Sequence, residues 1–209
     1  MLRRLLHSST GTTAAEFAMM LPIIMLFLLG IIDAGLYAWA FNRAEKATQM
    51  GARMAVTTQI IPGGTASNGL YNYSFAVSGG IPQGTVVPAG NFPDITCEEA
   101  SGTLSCPCNA CAFSTAIDTA AQTAWDNIVA RMKYIYPEID GSNVVIEYRW
   151  SGLGFAGDPN GADVAPLVTV KLKQMKYKPL SLYIFKQDVP VPAASYTLTM
   201  EDGQGTVSN

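Results

Sequence analysis

The uncharged stretch from Ala18 to Ile32, "AMMLPIIMLFLLGII", constrains this chain more than any other feature. It resumes after Asp33 as "AGLYAWAF" and ends at Phe41. A helix over Ala15 to Leu36 would be about 33 Å long, enough to cross a hydrocarbon core of about 30 Å. The run therefore predicts a single membrane-spanning helix, and any folded domain has to be built from the residues C-terminal to it. Composition agrees, because 49% of the residues are hydrophobic and only 14% are charged. Arg3 and Arg4 precede the run and place the N-terminus on the cytoplasmic side, whereas Arg43, Lys46 and Arg53 lie beyond it and weaken that asymmetry. Tyr37 and Trp39 fall where an outer aromatic belt belongs, and Asp33 is expected to be a solvated charge at the helix end.

Glu16 is harder to accommodate. With Gly11 and Thr12 at the cytoplasmic face, it lies roughly 6 Å further in. An unpaired carboxylate there costs on the order of 3 kcal/mol and is a functional candidate in need of a partner. No Lys or Arg occupies the adjacent turns, and Arg3 and Arg4 are too far back along the chain to be helical neighbours. Cleavage after Gly11 would create an ammonium on Thr12, in the same chain or in a neighbouring copy.

A short basic leader ending in Gly11, a tract of small residues, Glu16-Phe17 and an uncharged apolar run together resemble the class III signal of type IV pilins and pseudopilins. In that family a prepilin peptidase cuts after the glycine, the new N-terminus is commonly methylated, and the glutamate assists assembly. "GTTAAEFAMMLPIIMLFLLGIIDAGLYAW" is similar, more narrowly, to the start of TadE-like minor pilins of tight-adherence (Tad/Flp) pilus systems. The positions that carry the likeness are Glu16, Phe17, Ala18, Leu21, Pro22, Gly30, Ile31, Ile32 and Asp33; Asp33-Ala34 stands where the commoner pattern has Glu-Phe. "VTVKLKQMKYKPLSLYIF" and "ASYTLTMEDG" resemble the paired strands with which such proteins often end.

The resemblance implies cleavage between Gly11 and Thr12 by a prepilin peptidase, and an assembly role for Glu16 and Phe17. It implies partners among other pilins and the pilus assembly machinery, and storage in the bacterial inner membrane with the C-terminal domain extracytoplasmic. The implied function is assembly of an adhesive pilus as a priming, tip or minor component. Two other readings of the N-terminus compete. A cleaved secretory signal ending at "AWA", Ala38 to Ala40, would have a shorter apolar run and no acid at its start. A plain signal anchor would leave Gly11 and Glu16 as accidents. The alternative function is a membrane-anchored extracytoplasmic binding module that enters no fibre.

The chain divides into four segments: a leader (1–11), a membrane and assembly helix (12–41), its extracytoplasmic continuation (42–62) and an α+β head (63–209). Ala44, Ala47, Gly51 and Ala55 form a small-residue stripe that suits either a neighbouring helix in a filament or the protein's own head. Pro62-Gly63-Gly64 is expected to end the helix. Residues 65 to 110 are rich in turn formers, with "NYSFAVSGG" and "GTVVPAG" as short strand candidates. A second helix is expected in "FSTAIDTAAQTAWDNIVARMKYIYPEID". There Phe113, Ile117, Ala121, Ala124, Ile128, Met132 and Ile135 recur at helical spacing before Pro137. "NVVIEYRW" places Ile146 and Tyr148 inward against Glu147 and Arg149; "LVTVKLKQMKY" places Val168, Val170 and Leu172 opposite Lys171 and Lys173. With "SLYIF" and "SYTLTM" these complete an antiparallel sheet with one wet face.

Cys97, Cys106, Cys108 and Cys111 cluster in the loop 97–111, and an even count in an exported, loop-rich segment favours two disulfides. Cys106 to Cys108 would be too tight a ring, so Cys97 pairs with Cys106 or Cys108 and the other pairs with Cys111. A zinc site would want two well-spaced pairs or added histidines, yet the one His is His7 in the leader, so no metal is expected. Without an exported His there is no Ser-His or Cys-His dyad, and no phosphate-binding Gly-rich loop occurs; neither catalysis nor a cofactor is expected. "GDPNGAD", Gly157 to Asp163, lacks the length and closing Glu of a calcium loop and is expected to be a turn. Net charge of -3 without a basic stripe excludes nucleic acid as a partner.

Overall fold

The computed structural model describes residues 10–181, 187–200 and 203–204, with side chains from residue 13 onward. In chain order the elements are α1 (Thr10–Ala55), β1 (Ile95–Ala100), β2 (Thr103–Ser105), α2 (Thr119–Ile135), β3 (Val144–Arg149), β4 (Leu167–Leu172), β5 (Lys176–Tyr177), β6 (Val189–Pro190) and β7 (Ser195–Thr199), with short 3₁₀ turns at Ala89–Asn91 and Gly141–Asn143. They fall into two units: Met1–Ala40 with Lys176–Val191, and Phe41–Met175 with Pro192–Asn209. The class is α+β, with one helix among the described residues long and apolar enough to cross a membrane.

In the second unit a five-stranded antiparallel sheet runs in the order β2-β1-β3-β4-β7. Strand alternation sorts its faces. Val144, Ile146, Tyr148, Val168, Val170 and Leu172 are almost wholly buried, whereas Glu147 and Lys171 form an ion pair on the opposite face. Thr169 and Thr197, paired across β4 and β7, share a hydroxyl hydrogen bond of 2.8 Å on that face. The helix α2 covers the dry face through Ala121, Ala124, Trp125, Ile128 and Met132. Each large side chain buried this way contributes about 1.5–3 kcal/mol. Phe113 and Ile117 precede α2 instead of opening it, because Asp118 caps the helix by accepting the Ala121 amide at 2.8 Å.

The stripe of Ala44, Ala47, Gly51 and Ala55 packs on the protein's own head. A Cβ built on Gly51 would lie 2.6 Å from Met132 Sδ and 3.2 Å from Val170 Cγ1, so α1 touches both α2 and β4 there. Arg43 donates from Nε to the Ile135 carbonyl at 2.9 Å and stacks over the Tyr136 ring, placing a cation at the negative end of α2. The α-helix itself stops at Ala55, short of Pro62. Thr57 and Thr58 turn their hydroxyls back onto the Arg53 and Met54 carbonyls and compete with helix propagation before the proline is reached.

Neither strand candidate between residues 65 and 110 forms a strand. Around "NYSFAVSGG" the chain makes successive turns, with the Phe75 amide donated to the Asp163 carboxylate at 2.6 Å. In "GTVVPAG" the Val87 carbonyl accepts the Trp150 indole N–H at 2.8 Å. The segment is ordered instead by Tyr73, Phe75, Phe92 and Phe113, whose rings meet at centroid distances from 4.9 to 6.1 Å. Of the expected strand "SLYIF", Leu182 to Phe185 lie outside the described residues.

In the first unit, β5 and β6 form a minimal hairpin, Lys176 opposite Pro190 and Tyr177 opposite Val189. It lies against α1, where Tyr37 donates to the Pro190 carbonyl at 3.1 Å and meets the Tyr177 ring edge-on at 5.8 Å.

Candidate functional site

The functional candidate is the N-terminal part of α1. Gly11 and Thr12 lie in its first turn, and the helix passes through Pro22 without interruption. Every side chain from Thr13 to Leu28 is exposed. Phe17, Ile23, Leu26 and Phe27 are each more than 60% uncovered. Cβ atoms built on Gly30 and Gly35 would meet nothing within 4 Å. So extensive an apolar surface marks contact with lipid or another protein, since it does not persist in water. From Thr13 to Ile32 the only charge is Glu16, exposed and without an ion-pair partner among the described residues.

Coverage of α1 begins with the stripe Leu29, Asp33, Leu36 and Ala40, spaced three or four apart, with Tyr37 beside it. The structure overturns the expectation of a solvated Asp33. Its side chain is only 7% exposed. One carboxylate oxygen accepts the Leu180 amide at 2.7 Å and the Tyr177 hydroxyl at 3.2 Å; the other accepts the Ser181 amide at 2.7 Å. These donors are remote in sequence, so no local pattern announces them. The one available signal is that Asp33 continues the Leu29, Leu36 and Ala40 face of the helix.

The cysteines pair as Cys97–Cys106 and Cys108–Cys111. Cys97 lies in β1, and its bridge closes the β1–β2 hairpin with Cα atoms 4.1 Å apart. At the hairpin tip Ser101 and Gly102 take φ of 52° and 77°, the left-handed pair that a tight two-residue turn needs. Cys108–Cys111 closes a small, partly exposed loop.

The "GDPNGAD" loop is organised as a turn around Asp163, which is 4% exposed. Its oxygens accept the Phe75 and Asp158 amides, and Asp158 in turn accepts the Asn160 amide at 2.8 Å. Both oxygens of Asp163 are thereby engaged within the protein. Among the described residues no group of three or more His, Cys, Asp or Glu could hold a metal ion. Two adjoining clefts of about 380 and 370 Å³ share Tyr71, Asp158, Asn160 and Gly161.

The family model for TadE, described as a TadE-like protein, matches residues 11–53. The match opens at Gly11 and takes in Glu16, the apolar sleeve, Asp33 and most of the small-residue stripe. No curated protein and no solved structure matches the chain. Through the helix that carries its exposed apolar surface, this chain is similar to the TadE-like family over residues 11–53.

Proposed function

We propose that the chain is a minor pilin or pseudopilin of a tight-adherence pilus system, separated from its leader by a prepilin peptidase between Gly11 and Thr12. The observation that carries this reading is the uncovered apolar sleeve from Phe17 to Leu28 with one acid, Glu16, at its start. Lipid covers that surface in the stored subunit, and neighbouring helices cover it in a fibre. In either setting the carboxylate is costly without a cation. The ammonium freed on Thr12, in the same chain or the next, supplies one. Glu16 thus sets register between subunits, Phe17 packs beside it, and no residue is assigned a catalytic step. The disulfides fit a head exported from the inner membrane into an oxidising compartment.

Intact mass and N-terminal sequencing of the protein from native membranes test the processing step. A chain beginning at Thr12 supports it. A chain beginning at Met1 while the peptidase is active, or near Phe41, removes it. Replacing Glu16 with Ala is expected to leave cleavage intact and to lower incorporation into fibres by about tenfold or more, given the few kcal/mol at stake. Normal incorporation in cells lacking the wild type would sink the role.

The adjoining clefts around Tyr71, Asp158 and Asn160, one mainly polar and one mixed, favour a second reading, a tethered binding module outside any fibre. Recovery of the chain in sheared pilus fractions supports the first reading, and recovery in the envelope alone supports the second.

A further inference from the structure

We propose that the segment Lys176 to Ser181 is a collar that binds the headgroup layer of the bilayer, with Lys176 and Lys178 holding lipid phosphates and Asp33 fixing the collar to α1. The proposal rests on α1 being the membrane helix. Depth is the first consideration. From Thr13, next to the cytoplasmic face set at Gly11 and Thr12, to Asp33 the helix rises about 30 Å. A hydrocarbon core of about 30 Å that begins there therefore ends at Asp33, with Tyr37 about 6 Å beyond it.

A carboxylate at the edge of the core is costly unless it is paired or hydrogen-bonded. The Leu180 and Ser181 amides and the Tyr177 hydroxyl satisfy it, and all three belong to the collar. The collar consequently sits at the same depth as Asp33, where lipid meets water. Its composition suits that boundary. Leu180 is 54% exposed, an apolar side chain turned away from the protein. Tyr177 and Tyr37 stack edge-on beside it, and Trp39 is 57% exposed a half-turn further along α1. Aromatic rings of this kind concentrate at membrane interfaces.

Charge complementarity selects the ligand. Lys176 and Lys178 are exposed, and among the described residues neither forms an ion pair. Asp33 is already occupied by its three donors, and Asp188, which follows the Tyr177–Val189 pair across the hairpin from Lys178, is exposed and forms no ion pair among the described residues. The lysine stems can lie along the acyl boundary while the ammonium groups reach the phosphates. Anionic phospholipid is therefore preferred over zwitterionic.

The test uses the full chain in bilayers of phosphatidylcholine, with or without phosphatidylglycerol. A fluorescent residue replaces Leu180 in one sample and Phe27 in another. Brominated acyl chains are expected to quench both probes, and iodide in the water to quench neither strongly. Asp33→Ala is expected to release the probe at 180 to iodide and leave the probe at 27 unchanged. Asp33→Asn, which keeps the shape and one acceptor oxygen, is expected to give an intermediate result. Replacing Lys176 and Lys178 with Gln should lower phosphatidylglycerol enrichment around the protein by about fivefold per lysine. A probe at 180 quenched only from water, with the probe at 27 quenched by lipid, overturns the collar and leaves the membrane helix standing. A probe at 27 that lipid does not quench removes the membrane helix and the collar with it. An Asp33→Ala signal identical to the wild type overturns the tie, and enrichment indifferent to both lysines overturns the phosphate contact.

Discussion

Asp118 joins two segments through one carboxylate. It caps α2 by accepting the Ala121 amide at 2.8 Å, and its second oxygen accepts the Thr65 amide at 2.8 Å and hydroxyl at 2.6 Å. Glycine is required beside it: a Cβ on Gly64, where φ is +49°, would lie 2.0 Å from the carboxylate oxygen. Partial burial works against the charge, but the Thr65 hydroxyl and the Ala121, Thr65 and Ala120 amides outweigh it and hold the carboxyl below its ordinary value. A lowered folded-state pKa contributes stability that is complete above the unfolded value near pH 4 and is lost as pH falls through the folded value. Asp118→Ala is therefore expected to cost about 1–2 kcal/mol at neutral pH. The difference in Tm from the wild type should shrink steadily below about pH 4. A gap that stays constant to pH 2 would assign the loss to packing instead. The cap is a local pattern, an acid just before a helical run in "IDTAAQ", but the apolar spacing of Phe113 and Ile117 masks it and points to an earlier helix start. Asp33 is not legible in this way, because its donors come from residues 177 to 181 and no spacing rule connects them.

Among the elements, those with a clear period were legible and those without one were not. Apolar residues of α2 recur along one helical face, and β4 alternates in sequence while β3, with Val144 to Ile146 in a row, does so only loosely, so type and inward face could be read directly for α2 and β4 and less sharply for β3. The stretch from 65 to 94 has no comparable period, since ring contacts and one buried carboxylate order it, and the β1–β2 hairpin that follows is held by its turn and by Cys97–Cys106. The fate of the small-residue stripe was open in the sequence because a close helix neighbour and a close sheet demand the same small side chains. In the structure the close approach at Gly51 makes the outcome testable. Gly51→Phe overpacks against Met132 and Val170 and is expected to destabilise the head by about 2 kcal/mol or more in urea titration, with Gly51→Ala far milder because the Met132 tip can move. The two disulfides should also separate in graded reduction followed by alkylation and mass analysis. Cys108–Cys111, partly exposed and spanning a short loop, is expected to open first, whereas Cys97 and Cys106 are 0% and 3% exposed and should react last. Simultaneous opening would mean that the hairpin gives its bridge no protection.

On the scale of the whole molecule, the division of labour is set by where apolar surface is covered. Residues 13–28 keep theirs bare, while α1 from Ala44 onward is packed against the sheet and α2. A chain starting at Phe41 is expected to stay in the supernatant on ultracentrifugation without detergent and to retain both disulfides, whereas the full chain pellets. Sedimentation of both would place the adhesive surface in the head. The head also manages its open sheet edges. On one side β2 is only three residues long and is tied down beside Cys97–Cys106; on the other, β7 comes after a stretch interrupted by Pro190 and Pro192. Short, stapled or proline-flanked edges are poor templates for strand addition from another copy. Heads crowded together on one surface would therefore stay clear of cross-β aggregation, leaving any lasting contact between copies to the bare part of α1.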